Sequence, residues 1–172
     1  MKTMKKLLIS IALITSAHLP ETFAQGAGDQ TLPDVELSTA DGGKINISTY
    51  AADNKITIFC FWATWCVPCK KELNNIHEIY EQWITDYNVE IVAVSIDDSR
   101  NVAKAKAYAD GQGWEYQLLF DTNQDLKRYL NFQTIPFSII TDLSGVIVDK
   151  HAAYVEGDEY VMEEKLKELS AK

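Results

Sequence analysis

Two cysteines three residues apart, Cys66 and Cys69, follow directly on an apolar run, and this junction constrains the fold more than any other feature of the chain. The run from Lys55 to Trp62 lacks the regular polar alternation of a half-exposed strand, which predicts a strand buried on both faces, as in a parallel sheet. After Cys69, apolar residues Leu73, Ile76, Tyr80, Trp83 and Ile84 recur at helical intervals and predict one amphipathic face. A helix starting at Cys66 turns its unpaired N–H groups and positive dipole end toward the Cys66 sulfur, which favours thiolate over thiol. The same helix sets Cys69 within disulfide reach and puts Pro68 in the first turn, where no helical hydrogen bond is lost. A strand, a tight turn and a helix with C-x-x-C at its start predict a thiol–disulfide exchange site.

The segment Trp62-Ala63-Thr64-Trp65-Cys66-Val67-Pro68-Cys69-Lys70-Lys71-Glu72 resembles the active-site segment of thioredoxin-fold proteins. It is most similar to that of the bacterial membrane-associated or periplasmic thiol–disulfide oxidoreductases, the TlpA/ResA-like group that serves cytochrome c maturation and related reductive tasks. The resemblance extends more weakly from about Leu32 to the C-terminus. It implies a thioredoxin-like three-layer α/β fold with a mixed central sheet and an N-terminal β-hairpin extension. It also implies a cis proline at Pro136, packed against the disulfide and exposing the backbone of Ile135 to substrate, and a Glu72 that sits beside the cysteines and tunes them. A membrane-bound thiol is the electron donor it implies. Two positions depart from the wider fold: Cys60 stands where many thioredoxins have a buried, proton-moving aspartate, and Asn74 where a helix-kinking proline is common.

Residues 1–24 carry Lys2, Lys5 and Lys6, then an apolar stretch from Leu7 to Ala17, then Thr22-Phe23-Ala24, and so predict a secretory signal peptide. An uncleaved membrane anchor is the alternative, but about 11 apolar residues fall short of the roughly 20 a span needs. The expectation is export to the periplasm, a mobile lead over residues 25–31 and one domain over residues 32–172. The net charge is −9 for the whole chain and −11 without residues 1–24, which argues against nucleic acid and anionic lipid as partners. Three cysteines is an odd count for a structural disulfide framework and fits one redox pair plus one buried thiol.

In chain order, Val35-Glu36-Leu37 and Ile45-Asn46-Ile47 flank Asp41-Gly42-Gly43 and predict the hairpin. Val89 to Ile96 predicts a strand, and Asp97-Asp98-Ser99 the caps of a short Ala-rich helix that ends at Gly111 and Gly113. Tyr116 to Phe120 reads as a strand, followed by a small helix capped by Thr122 and running through Leu130. Phe137 to Thr141 and Val146 to His151 predict an antiparallel pair, and Asp158 the cap of a last helix with Val161, Met162, Leu166 and Leu169 on one face.

The chemistry predicted is a Cys66 thiolate attacking a substrate disulfide, with Cys69 resolving the mixed disulfide. No cofactor is called for. A zinc ribbon would need a second C-x-x-C, and covalent haem a histidine where Lys70 stands. Trp65 and the Ile135–Pro136 backbone are the candidate substrate contacts, the latter by strand addition. Glu72 and Cys60 are the candidates for tuning the pair, each with a bland alternative: a solvated helix carboxylate and a small core residue. Trp62 is expected beneath the site, where its indole N–H needs a partner. The lead function is reduction of disulfides in other proteins, since Val-Pro between the cysteines lacks the histidine of strongly oxidising relatives. An oxidase or isomerase is the runner-up. A peroxidase is disfavoured by Ala63 three residues before Cys66 and by only two arginines, Arg100 and Arg128. A soft-metal module on the two cysteines lacks a supporting His or Met cluster.

Overall fold

The structure, a computed structural model, describes residues 30–171. The signal-peptide expectation for residues 1–24 and most of the lead fall outside that range. Seven strands form one mixed sheet: β1 (Glu36–Thr39), β2 (Lys44–Asn46), β3 (Ile56–Trp62), β4 (Val89–Ser95), β5 (Gln117–Phe120), β6 (Phe137–Thr141) and β7 (Ile147–Ala152), in the order β2-β1-β5-β4-β3-β6-β7. Four helices, α1 (Val67–Tyr87), α2 (Val102–Gln112), α3 (Asp125–Leu130) and α4 (Asp158–Ser170), and a 3-10 helix over Ile47–Ala52 complete the fold.

Every residue of β3 is buried, because β4 pairs with it in parallel, β6 antiparallel, and helices cover both faces. Side chains alternate across the pleat. Cys60 and Trp62 face α1 and α2, where the Trp62 ring meets Tyr108 and Trp114. Phe59 and Phe61 face the other side, against Tyr50 of the 3-10 helix and Phe132 just after α3. Helix α4 docks on α1, with the Tyr87 hydroxyl donating to Glu163 at 2.8 Å. This is the three-layer mixed α/β arrangement expected. The N-terminal hairpin is part of the same sheet, joined through the antiparallel pairing of Ser38 and Thr39 in β1 with Phe120 and Leu119 in β5.

Several local expectations are corrected. Thr31 bridges Val146 and the Gln30 carbonyl accepts from Ile147 N–H at 2.8 Å, so these two residues are tied to the sheet rather than part of a free lead. Asp97 is not a helix cap; it is buried and turned back toward β3, and Asn101 precedes α2 without a side-chain cap. Gly111 lies inside α2, and the left-handed Gly113 ends it. Asp121, not Thr122, holds the start of α3, accepting from the N–H groups of Asp125 and Lys127. Asp158 is the first residue of α4 after Gly157, and it accepts from Val155 N–H. Ile84 and Val161 are exposed, because the burying stripe on each helix is narrower than the apolar periodicity suggests.

At the β6–β7 turn the backbone passes close against the 3-10 helix. Gly145 has φ +78°, and a Cβ there would lie 2.4 Å from the Ala51 Cβ of the 3-10 helix. Gly145→Ala is therefore expected to destabilise by about 2–4 kcal/mol. Gly111→Ala, where a Cβ meets nothing within 4 Å, is expected to stabilise by about 0.5–1 kcal/mol. Urea denaturation of the two variants beside the parent checks both signs.

Candidate functional site

The site forms where β3 gives way to α1, and a carboxylate just after β4 sets its shape. Asp97 accepts from Thr64 N–H at 2.8 Å, from the Thr64 hydroxyl at 2.9 Å and from the Ser95 hydroxyl at 2.9 Å. Three donors offset the desolvation of this buried group. Cys66 N–H bonds to the Ala63 carbonyl at 3.0 Å, closing the turn. Cys66 is the N-cap of α1, and its sulfur accepts from Cys69 N–H at 3.3 Å, as the spacing predicts. Pro68 lies in the first turn. The two sulfurs form a disulfide with Cα atoms 5.4 Å apart. Cys69 is wholly enclosed and Cys66 retains a 4% exposed edge, flanked by Trp65 at 67% and Val67 at 71%. The indole of Trp65 thus stands in solvent beside the more accessible sulfur.

The start of β6 supplies a second wall. The Ile135–Pro136 peptide bond is cis, and the Pro136 carbonyl accepts from Ala153 N–H at 2.9 Å. Between this segment and the junction runs a groove of about 230 Å³ lined by Trp65, Ile96, Gln124, Lys127, Gln133, Thr134 and Ile135. Trp65 and Ile135, predicted together as substrate contacts, do border one space.

Beneath the disulfide the layer between β3, β6 and α1 carries polar groups. Glu72 is 1% exposed, not a solvated helix residue, and receives the Ser138 hydroxyl at 3.1 Å. Ser138 is the β6 partner of Cys60 in the sheet. Burial pushes the Glu72 carboxyl up to about 8; the Ser138 bond opposes this, and Asp158 and Glu159 of α4 add to it. Burial and then the Glu72 charge push the Cys60 thiol well above its usual range. Trp62 lies beneath the site as expected, but among the described residues its indole N–H finds no partner, nor does Nδ1 of the packed His77. Asn74 has its own role, accepting from the Trp114 indole at 2.8 Å to tie α1 to the segment after α2. His151 meets Asp158 at 3.2 Å. Arg100 is engaged with Asp98 and Arg128 with Asp125. Among the described residues, no three His, Cys, Asp or Glu side chains are grouped to hold a metal ion, and no helix is long and apolar enough to cross a membrane.

Sequence reasoning missed Asp97 and Ser138. A pointer to Asp97 was available: it follows the carboxyl end of a parallel strand, where site residues of open α/β sheets gather. Nothing pointed to Ser138, since one hydroxyl in an apolar strand reads equally well as filler.

Two outcomes follow from these contacts. Asp97→Ala leaves the Thr64 N–H buried and unpaired, and is expected to cost about 2–3 kcal/mol in denaturant unfolding and to slow thiol exchange at Cys66. For Glu72, the folded carboxyl titrates near 8 against 4.5 when free. Between those values the folded chain holds a proton the unfolded chain releases. Its contribution to stability is complete below about 4.5 and is lost as pH rises through about 8. Unfolding curves at a series of pH values are expected to show this loss in the parent, with Glu72→Gln flattening it.

The chain matches the AhpC/TSA family over residues 29–160. It is 30% identical over 165 residues to the thioredoxin-like protein YneN of Bacillus subtilis (strain 168), covering 93% of each chain. It is 28% identical over 151 residues to the thiol-disulfide oxidoreductase ResA of Geobacillus thermodenitrificans (strain NG80-2), covering 86% of this chain and 83% of that one. Among solved structures, a thioredoxin-like protein from Porphyromonas gingivalis superposes with a TM-score of 0.74 at 41% identity, covering 81% of this chain and 92% of that one.

Proposed function

The chain belongs to the AhpC/TSA family, among its thioredoxin-like thiol–disulfide oxidoreductases, and on that premise we propose that it reduces disulfides in other exported proteins. The observation that carries this reading is the placement of the pair: Cys66 at the start of α1 with a reachable edge, Cys69 enclosed, and a buried carboxyl one helical turn further on. The Cys66 thiolate attacks one sulfur of a substrate disulfide, and one substrate thiolate leaves and takes a proton. Cys69, deprotonated, then attacks the Cys66 sulfur, closing the Cys66–Cys69 bond and expelling the second substrate thiolate, which is protonated in turn. Two electrons and two protons pass to the substrate. Glu72 in its ionised form takes the Cys69 proton, while Ser138 holds that carboxyl in its setting and Cys60 lies beside them in the sheet.

Trp65 contacts the substrate, and the Ile135 backbone ahead of Pro136 pairs with an extended segment of it. Val67 and Pro68 between the cysteines bring no imidazolium to stabilise the Cys66 thiolate further, which favours a reductant over an oxidant. A membrane-bound thiol donor restores the dithiol, residues 1–24 direct export to the periplasm, and residues 32–172 form the working domain. Peroxidase chemistry gains no support, with Ala63 ahead of Cys66 and both arginines engaged by aspartates.

Equilibration of the purified protein in graded dithiol buffers is expected to give a potential below about −230 mV, with Cys60→Ser unchanged in titratable thiols at the pair. A potential above about −150 mV would reverse the direction. With Cys69→Ser, a mixed disulfide on Cys66 is expected to accumulate. In the parent its resolution is expected to quicken as pH rises toward about 8, and to lose that dependence in Glu72→Gln.

A further inference from the structure

We infer that the groove beside Trp65 selects substrates with an acidic side chain next to the reactive cysteine, and that Lys127 reads it. This rests on the disulfide-exchange reading above and adds a substrate class to it. The groove shares Trp65 and Ile135 with the site, and its volume of about 230 Å³ holds a side chain or two. A segment paired with the Ile135 backbone sends successive side chains to opposite sides, so a residue beside its cysteine enters this space.

Charge makes the choice. The whole chain carries −9, yet Lys127 is the one charged residue lining the groove. Lys44, Lys71, Lys106, Lys165 and Lys167 each lie against a carboxylate. The Lys127 ammonium instead donates to the Gln124 side-chain oxygen at 3.2 Å, and among the described residues it has no carboxylate within 4.0 Å. An uncompensated cation lining a groove on an acidic protein complements a carboxylate.

The group is also held ready. Gln124 has φ +58°, a left-handed conformation rarely adopted outside glycine and asparagine. Its amide nitrogen donates to the Ile96 carbonyl at 3.4 Å, while its oxygen orients Lys127. Asp121 fixes the Lys127 backbone N–H at 2.9 Å. A side chain positioned before binding loses less entropy when its partner arrives.

The test uses two peptides with an internal disulfide, identical except for Glu or Lys beside the first cysteine. At low ionic strength kcat/KM is expected to favour the Glu peptide about five-fold, and the preference is expected to fade in about 0.5 M salt. Lys127→Met is expected to bring the ratio near one and Lys127→Glu to invert it, whereas Lys104→Glu, exposed on α2, is expected to keep it. An unchanged preference in Lys127→Glu overturns the inference. So does exchange with both peptides at equal rates in the parent, which leaves the proposed function standing. Exchange with neither peptide, in the reducing or the oxidising direction, overturns both.

Discussion

The turn from β3 into α1 depends on one buried carboxylate. Asp97 lies 33 residues from Thr64 in sequence, yet its two oxygens hold the backbone N–H and the hydroxyl of that residue. With Thr64 held, the chain closes from Ala63 to Cys66 and the helix begins at the sulfur. The consequences radiate outward: the Cys66 sulfur meets the free N–H of the first turn, Cys69 comes within disulfide reach, and Trp65 is left in solvent. An apolar residue at position 97 would strand three donors in the interior. The carboxylate stays because β4 runs parallel to β3 and ends beside the turn it serves.

A second buried polar group sits under the same pair, in a different balance. Glu72 receives one hydroxyl, from Ser138, against the repulsion of Asp158 and Glu159 at the start of α4 and the cost of leaving water. One charge-favouring contact does not offset that environment, so the proton stays on well above the ordinary carboxylate range. Asp97, with three donors, serves geometry, whereas Glu72, with one, is left poised to titrate. The difference lies in the number of donors and in which helix packs above each carboxylate. Neither is a property of the residue type.

Much of the architecture could be read directly. The strand before the cysteines, the long helix after them, the hairpin and the closing strand pair all follow from apolar period and turn residues. Where the structure departs from that reading, the cause is a competing hydrogen-bond partner or packing neighbour. Asp97 and Thr122 were assigned to the helix that followed, since short polar residues before a helix cap it by default; Asp97 was taken instead by Thr64, and Asp121 displaced Thr122. Ile84 and Val161 fit their helical stripes but face water, because the width of a buried face is set by the neighbour packed on it.

The sequence by itself determined the reactive unit: C-x-x-C spacing at a strand–helix junction places two sulfurs together through bond geometry and helical pitch, both local. It also determined which strands are central, through their unbroken apolar composition. Tertiary structure alone decided the surroundings of that unit. Only folding brings the Asp97 carboxylate to the turn, Ser138 and the acids of α4 to Glu72, and Lys127 to the groove beside Trp65. These are through-space effects of burial, charge and hydrogen bonding between residues dozens of positions apart, and local periodicity carries no record of them.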